Sequence, residues 1–179
     1  MNSNQIFEMA LGLESPWYIK EVKLTKPEGL NRGQLDIYLD FKPGAKFPDP
    51  TGAMCGVYDT EDRSWQHLNF FEHNCFLHAR VPRIQQGDGS VKTVVVPWAR
   101  PGSGFTLLFE AFSMLLIECE MPVNKVAATL RVVAHRLWRV FNYWVGRAVK
   151  SDDLSAVRQV GIDETSSRKG HRYVTVCAD

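Results

Sequence analysis

The side chains best suited by type and spacing to act on a polyanion lie between Lys125 and Arg147. Arg136, Arg139, Tyr143 and Arg147 fall at intervals of three and four residues, which is one stripe of a helix running from about His135 to Val149. Leu137, Phe141, Trp144, Val145 and Ala148 form its apolar face. A shorter apolar-faced helix precedes it, with Val123, Val126, Ala127 and Leu130 in helical register. Two helices joined by a brief turn, the second carrying guanidinium groups, form the pattern of a helix-turn-helix, in which phosphates and base edges meet the second helix. Lys125, His135, Arg136, Arg139, Asn142, Tyr143 and Arg147 are therefore the candidate DNA-binding residues. Pattern alone leaves a second reading open, a three-helix bundle with a solvated basic stripe. The turn Arg131-Val132-Val133-Ala134 lacks the usual glycine.

Asp163, in Gly161-Ile162-Asp163-Glu164-Thr165, is the candidate catalytic acid. A carboxylate on a buried strand is costly unless it is paired or binds a metal, so Asp163 fits a magnesium ligand in phosphoryl transfer. The alternative is a turn-side or capping acid. Glu164 and Asp179 would join Asp163 in any residual metal-dependent nuclease. The loop Phe47–Cys55 and the turn Gln85–Gly89 have the layout of a zinc ribbon, yet Cys55, Cys75, His67, His73 and His78 lack the paired spacing of zinc ligands. No metal ligand is assigned in this chain. The three histidines are expected on strands with their ring nitrogens satisfied, and Cys119 and Cys177 as core thiols. No Ser-His-Asp series, glycine-rich phosphate loop or HExxH is present.

Stepping from these residues to the elements that hold them, helix Gln5–Leu13 is expected first, then strands Trp17–Leu24 and Gln34–Phe41. Lys42–Cys55, with its prolines and glycines, is expected to be loop. Strands Ser64–Phe71, Asn74–Arg83 and a short run Val91–Pro97 complete a small α+β module of antiparallel hairpins over residues 1–100. Helical periodicity then covers 101–150, with Ser103 as the expected cap of a helix from Gly104 to Glu120. Residues 151–179 return to period two, as strands Gln159–Thr165 and His171–Cys177 around the turn SSRKG.

Charge agrees with this division. Residues 1–100 carry 11 basic and 12 acidic side chains, 101–150 carry 6 and 3, and 151–179 carry 4 and 5, within a net +1 over 179 residues. A uniformly basic coat is excluded, and the only basic excess falls on the helical segment. The N-terminus has no secretory signal pattern, and the apolar run Phe105–Ile117 is too short to span a bilayer. A bacterial cytoplasmic, nucleoid-associated protein with reduced cysteines and no membrane partner is expected.

Several segments form a recognisable set. They are Phe70-Phe71-Glu72-His73, Leu77-His78-Ala79-Arg80-Val81-Pro82-Arg83, Val96-Pro97-Trp98-Ala99-Arg100, Met121-Pro122-Val123-Asn124-Lys125-Val126, Arg136-Leu137-Trp138 and Gly161-Ile162-Asp163-Glu164-Thr165-Ser166-Ser167-Arg168-Lys169-Gly170-His171. In order along nearly the whole chain, they resemble the N-terminal region of the ISL-three family of insertion-sequence transposases. The resemblance implies a zinc-binding N-terminal module, a helix-turn-helix, and a ribonuclease H-like catalytic domain that cuts and joins DNA with acidic residues and Mg2+. It places Asp163 where the family's first catalytic acid stands, on that domain's first strand. Where the family has CPxCG and CPxHG knuckles, this sequence has Asp49-Pro50-Thr51-Gly52 and Gln86-Gly87-Asp88-Gly89, so zinc-ribbon-like hairpins without ligands are expected.

The implied fold is thus α+β: an antiparallel hairpin module, a three-helix helix-turn-helix unit, and the first hairpin of a ribonuclease H-like domain cut off after it. The implied function is that of a DNA-binding transposase fragment recognising double-stranded insertion-sequence ends. It would have no cofactor of its own, would be unable to transpose alone, and would associate with itself or with a full-length transposase. The loss of zinc ligands and the near-zero net charge also suit an alternative, a domesticated mobile-element protein that regulates or inhibits through a protein partner.

Overall fold

A computed structural model describes residues 3–29, 32–153, 155, 157–168 and 172–178. In chain order the elements are α1 (Ser3–Leu11), β1 (Trp17–Thr25), β2 (Gln34–Phe41), β3 (Lys46–Pro48), β4 (Met54–Phe70), β5 (His73–Gln85), β6 (Val91–Thr93), α2 (Leu107–Glu118), α3 (Val123–Thr129), α4 (Ala134–Ser151), β7 (Gly161–Arg168) and β8 (Arg172–Ala178). They fall into two compact units, Met1–Trp138 and Arg139–Asp179. The architecture is α+β, with a mixed sheet and four helices among the described residues.

The first unit is built on a sheet of order β1-β2-β5-β4-β3, with β6 on β5. Its spine is the long β4–β5 hairpin. Leu35, Ile37 and Leu39 of β2 lie in register with Cys75, Leu77 and Ala79 of β5, so their apolar side chains share one buried face. That pairing is parallel, in a module otherwise built of antiparallel strand pairs, as its expected domination by hairpins implies. Side chains alternate identically in parallel and antiparallel strands, so the alternation in β2 could not reveal the direction of its partner. The expected loop 42–55 contains β3, which pairs with the start of β4 through Lys46↔Gly56, Phe47↔Cys55 and Pro48↔Met54. Burial of Phe47 drives that pairing. Its ring lies 5.7 Å from Trp17 and 5.5 Å from Phe41, and Trp17 also meets Trp98 edge-on at 4.9 Å. Aromatic pairs of this kind each contribute about 0.5–1.5 kcal/mol beyond their buried area.

Residues 104–106 remain extended because they extend the sheet. The Gln66 amide donates to the Gly104 carbonyl at 2.9 Å, and the Thr106 amide donates to the Gln66 carbonyl at 3.1 Å. The following helix therefore starts later than expected, and Thr106 replaces Ser103 as its cap, accepting the Phe109 amide at 3.2 Å. Ser103 instead donates to Glu110, a fully buried carboxylate that Arg100 Nε also reaches at 2.8 Å.

Helices α2 and α3 end alike. Glu120 and Arg131 adopt left-handed backbone, with φ of 63° and 59°. Each closes a Schellman pair, with Met121 donating to Leu116 and Glu120 to Ile117 in one, and Val132 to Ala127 and Arg131 to Ala128 in the other. The glycine missing from the 131–134 turn is thus replaced by an arginine in the conformation glycine favours.

The second unit contains the later turns of α4 and the antiparallel β7–β8 hairpin, in register Gly161↔Ala178 to Arg168↔Arg172. Lys169 and Gly170 of the expected turn, and His171 of the strand expected after it, lie outside the described residues. Among the described residues no helix is long and apolar enough to cross a membrane.

Candidate nucleic-acid interface

The pair α3–α4 is positioned by its apolar faces. Val123, Val126, Ala127, Leu130 and Leu137 are buried, and α2 packs on α3. The turn between the helices is held to the sheet from outside. Arg131 Nη2 lies 2.7 Å from a Glu72 carboxylate oxygen and Nη1 lies 3.2 Å from the Glu72 carbonyl, at the tip of the β4–β5 hairpin. The Arg131 guanidinium holds the Glu72 carboxyl below the ordinary glutamate range.

Along α4 the expected DNA-binding residues separate into groups. His135, Arg139 and Asn142 are exposed, and helical geometry places them on one ridge opposite Leu137. Lys125 is exposed on α3. Arg136 lies off that ridge. Its guanidinium sits 4.3 Å from the centre of the Phe105 ring, 3.3 Å from Gln66 Oε1 and 3.5 Å from the Gly104 carbonyl. It therefore fastens the start of α4 to the extended segment beside β4. Further along, Tyr143 packs edge-on against Trp144 at 5.1 Å, and the Arg147 guanidinium lies over the Trp144 ring at 5.6 Å. Sequence reasoning assigned no role to Trp138, which is 41% exposed and donates its indole N–H to Asn124 Oδ1 at 2.9 Å. Its place three and four residues from His135 and Asn142, beside them on the helix, was the available signal.

Asp163 is exposed, which corrects the buried-strand setting expected for it. It pairs with Val176, and its carboxylate accepts the Glu164 amide at 2.8 Å. Asp179 lies outside the described residues. Among the described residues no three histidine, cysteine or acidic side chains converge as a metal site.

Both knuckle-like turns are closed by aspartates. Asp49 Oδ1 accepts from the Thr51 amide at 2.8 Å, the Thr51 hydroxyl at 2.6 Å and the Ala53 amide at 2.9 Å. Asp88 Oδ1 accepts from the Ser90 amide at 2.9 Å and its hydroxyl at 2.6 Å. The hydroxyl of Thr51 and that of Ser90 are the main causes of the lowered pKa of each carboxyl. The pairing Val57↔Ile84 puts both turns at the same end of the sheet.

The histidines are satisfied, as expected. His67 Nδ1 is 2.8 Å from the Thr106 hydroxyl, and burial lowers its pKa. His73 Nδ1 accepts the Gly33 amide at 2.8 Å. His78 lies between Ser64 Oγ and Asp36 Oδ1, 2.7 Å from each. This Ser64–His78–Asp36 chain spans β4, β5 and β2 and has no counterpart in a linear motif. Gln34 Nε2 also donates to Asp36, at 2.8 and 3.0 Å, so the chain ties three strands through one nearly buried carboxylate. Burial pushes the Cys75 thiol up to about 12. Cys119, expected in the core, is exposed at the end of α2, and the Cys177 side chain is outside those described.

Comparison with known proteins bears on this helix pair. Residues 94–145 match the family model of the helix-turn-helix domain of transposase family ISL3. The chain is related to the ISL3 transposases. It is 31% identical over 123 residues to the transposase for insertion sequence element IS1557 of Mycobacterium tuberculosis, which covers 65% of this chain and 26% of that protein. To the transposase for insertion sequence element IS1001 of Bordetella parapertussis it is 31% identical over 152 residues, 81% of this chain and 36% of that protein. The ISL3-related chain thus spans about a quarter to a third of the length of these relatives. No solved structure matches it.

Proposed function

We propose that this ISL3-related chain binds double-stranded DNA at insertion-sequence ends, with α4 entering the major groove and α3 crossing the backbone. The observation that carries the reading is the exposed ridge His135, Arg139 and Asn142 on the second helix of a pair matched to a transposase helix-turn-helix. Lys125 supplies a phosphate contact from the first helix, and Tyr143 and Arg147 flank the ridge. Arg136 leaves the set of direct contacts and becomes the anchor of α4. Residues 151–179 are proposed as the start of a ribonuclease H-like domain, with Asp163 as its first acid and Mg2+ as the metal of the complete domain. A two-metal site needs several carboxylates around the reacting phosphate. Asp163, with Glu164 beside it, is the candidate that residues 151–179 offer for such a set.

The test is a mobility-shift titration of the full chain against insertion-sequence end duplexes and random duplexes over a salt series. Preference for the ends is expected, with log K falling by about 0.9 per phosphate contact per decade of salt. Arg139→Ala and Asn142→Ala should remove that preference. Equal affinity of both variants and the parent for the ends would refute the assignment of α4.

One observation favours the second reading, a regulator acting through a protein partner. Leu108, Phe112 and Leu115 of α2 are 53%, 38% and 51% exposed on successive turns, with Ala111 between them. A face of that composition suits a protein surface rather than DNA. Absence of duplex binding even at low salt would favour this reading.

A further inference from the structure

Asn124 and Trp138 form a unit whose chemistry is fixed by their mutual hydrogen bond. The indole nitrogen is a donor only, so the atom it meets at 2.9 Å must be the Asn124 amide oxygen, and the amide nitrogen must be the other branch. The oxygen is occupied by the indole. What Asn124 has left to offer a ligand is its two N–H donors. Trp138 has committed its one polar atom, so its 41% exposure offers apolar ring. The pair therefore combines an apolar surface with an adjacent donor, and it joins the exposed faces of α3 and the first turns of α4.

In the major groove only thymine offers the complement, a C5-methyl group beside the O4 acceptor. Guanine and adenine offer acceptors, N7 in both and O6 in guanine, but no methyl, and cytosine presents an amino donor that would oppose the Asn124 amide. We infer that Trp138 and Asn124 read one thymine of the bound DNA, the ring against the methyl and the amide N–H to O4. The inference rests on the DNA-binding reading above and makes these two residues determinants of specificity.

The experiment starts with selection from a randomised duplex library by the full chain. Each thymine of the selected site is then replaced singly by deoxyuridine, which removes only the methyl. One position is expected to weaken binding about four-fold, the worth of one buried methyl. Trp138→Ala should bind the parent site more weakly and lose the difference between thymine and deoxyuridine there. Trp138→Phe, which keeps a ring, should retain part of it if the alanine variant melts early. Asn124→Asp still accepts the indole N–H but has no donor, and should lose the preference for thymine while the melting temperature holds. Selection of a site at which no deoxyuridine changes affinity more than two-fold overturns the inference and leaves DNA binding intact. So does a Trp138→Ala variant that keeps the parent's deoxyuridine sensitivity. Failure to bind any duplex overturns both readings together.

Discussion

Replacing Arg136 by alanine separates anchoring from DNA contact. In the folded protein its guanidinium covers the Phe105 ring at 4.3 Å and approaches Gln66 Oε1 at 3.3 Å. A cation over a ring contributes about 0.5–2 kcal/mol depending on desolvation. Gln66 is buried, and an acceptor left unpaired in such a setting costs about 1–3 kcal/mol, taken at the low end because the bond is long. The sum is about 2 kcal/mol, a fall of roughly 4–8 °C in Tm for a unit of this size. Below that melting range α4 remains seated by buried Leu137, and DNA affinity should stay within about three-fold, since no direct base contact is lost. Arg139→Ala should do the reverse. Its stability should stay within about 0.5 kcal/mol of the parent, as for an exposed substitution. Its affinity should fall about 5- to 150-fold if the contact is to a base edge, or its salt slope should drop by about one if the contact is to phosphate. Urea unfolding followed by tryptophan fluorescence, with fluorescence anisotropy on labelled end DNA, measures both quantities. An Arg136→Ala protein that melts with the parent yet binds DNA ten-fold more weakly would refute the anchoring argument.

Glu120→Gly should stabilise the protein by about 0.5–1 kcal/mol, the relief of left-handed strain less the entropy of an added glycine, readable as a higher urea midpoint. Arg131→Gly should gain less, because it also gives up the Glu72 tie. His78→Ala should cost about 1–3 kcal/mol by stripping Asp36 of a partner, and a double variant with Asp36→Asn should recover part of that loss. The carboxyls of Asp49 and Asp88 have folded pKa values below their unfolded ones. Their stabilisation is therefore present above the ordinary aspartate range and is lost as pH falls through the folded values. Protection factors of the Ala53 and Ser90 amides, corrected for the intrinsic pH dependence of exchange, should fall in acid, and in Asp49→Ala and Asp88→Ala at neutral pH. A chelator should leave the melting temperature of the parent unchanged, and a drop would revive a metal at these turns.

The local elements were largely legible. The alternation Leu35, Ile37, Leu39, Phe41 gave β2 its bounds, and Met121-Pro122 marked the break before α3. What escaped depends on distant partners. The parallel pairing of β2 with β5, the strand β3 hidden among prolines, and the delayed start of α2 all follow from where other strands lie. The site divides in the same way. Periodicity found the polar side of α4, but Arg136 sits at the edge of that stripe, and only the position of Phe105 shows that it turns inward. Asp36, Ser64 and His78 come from three strands, so no spacing could have joined them.

The β4–β5 hairpin has one end against the helix-turn-helix, through Glu72 and Arg131, and the other at the turns closed by Asp49 and Asp88. His73–Gln85 is a strand of 13 residues, about 40 Å along the chain at 3.3 Å per residue. The sheet thus keeps the turns closed by Asp49 and Asp88 about a strand's length from the Glu72–Arg131 contact, too far apart for one small ligand to touch both.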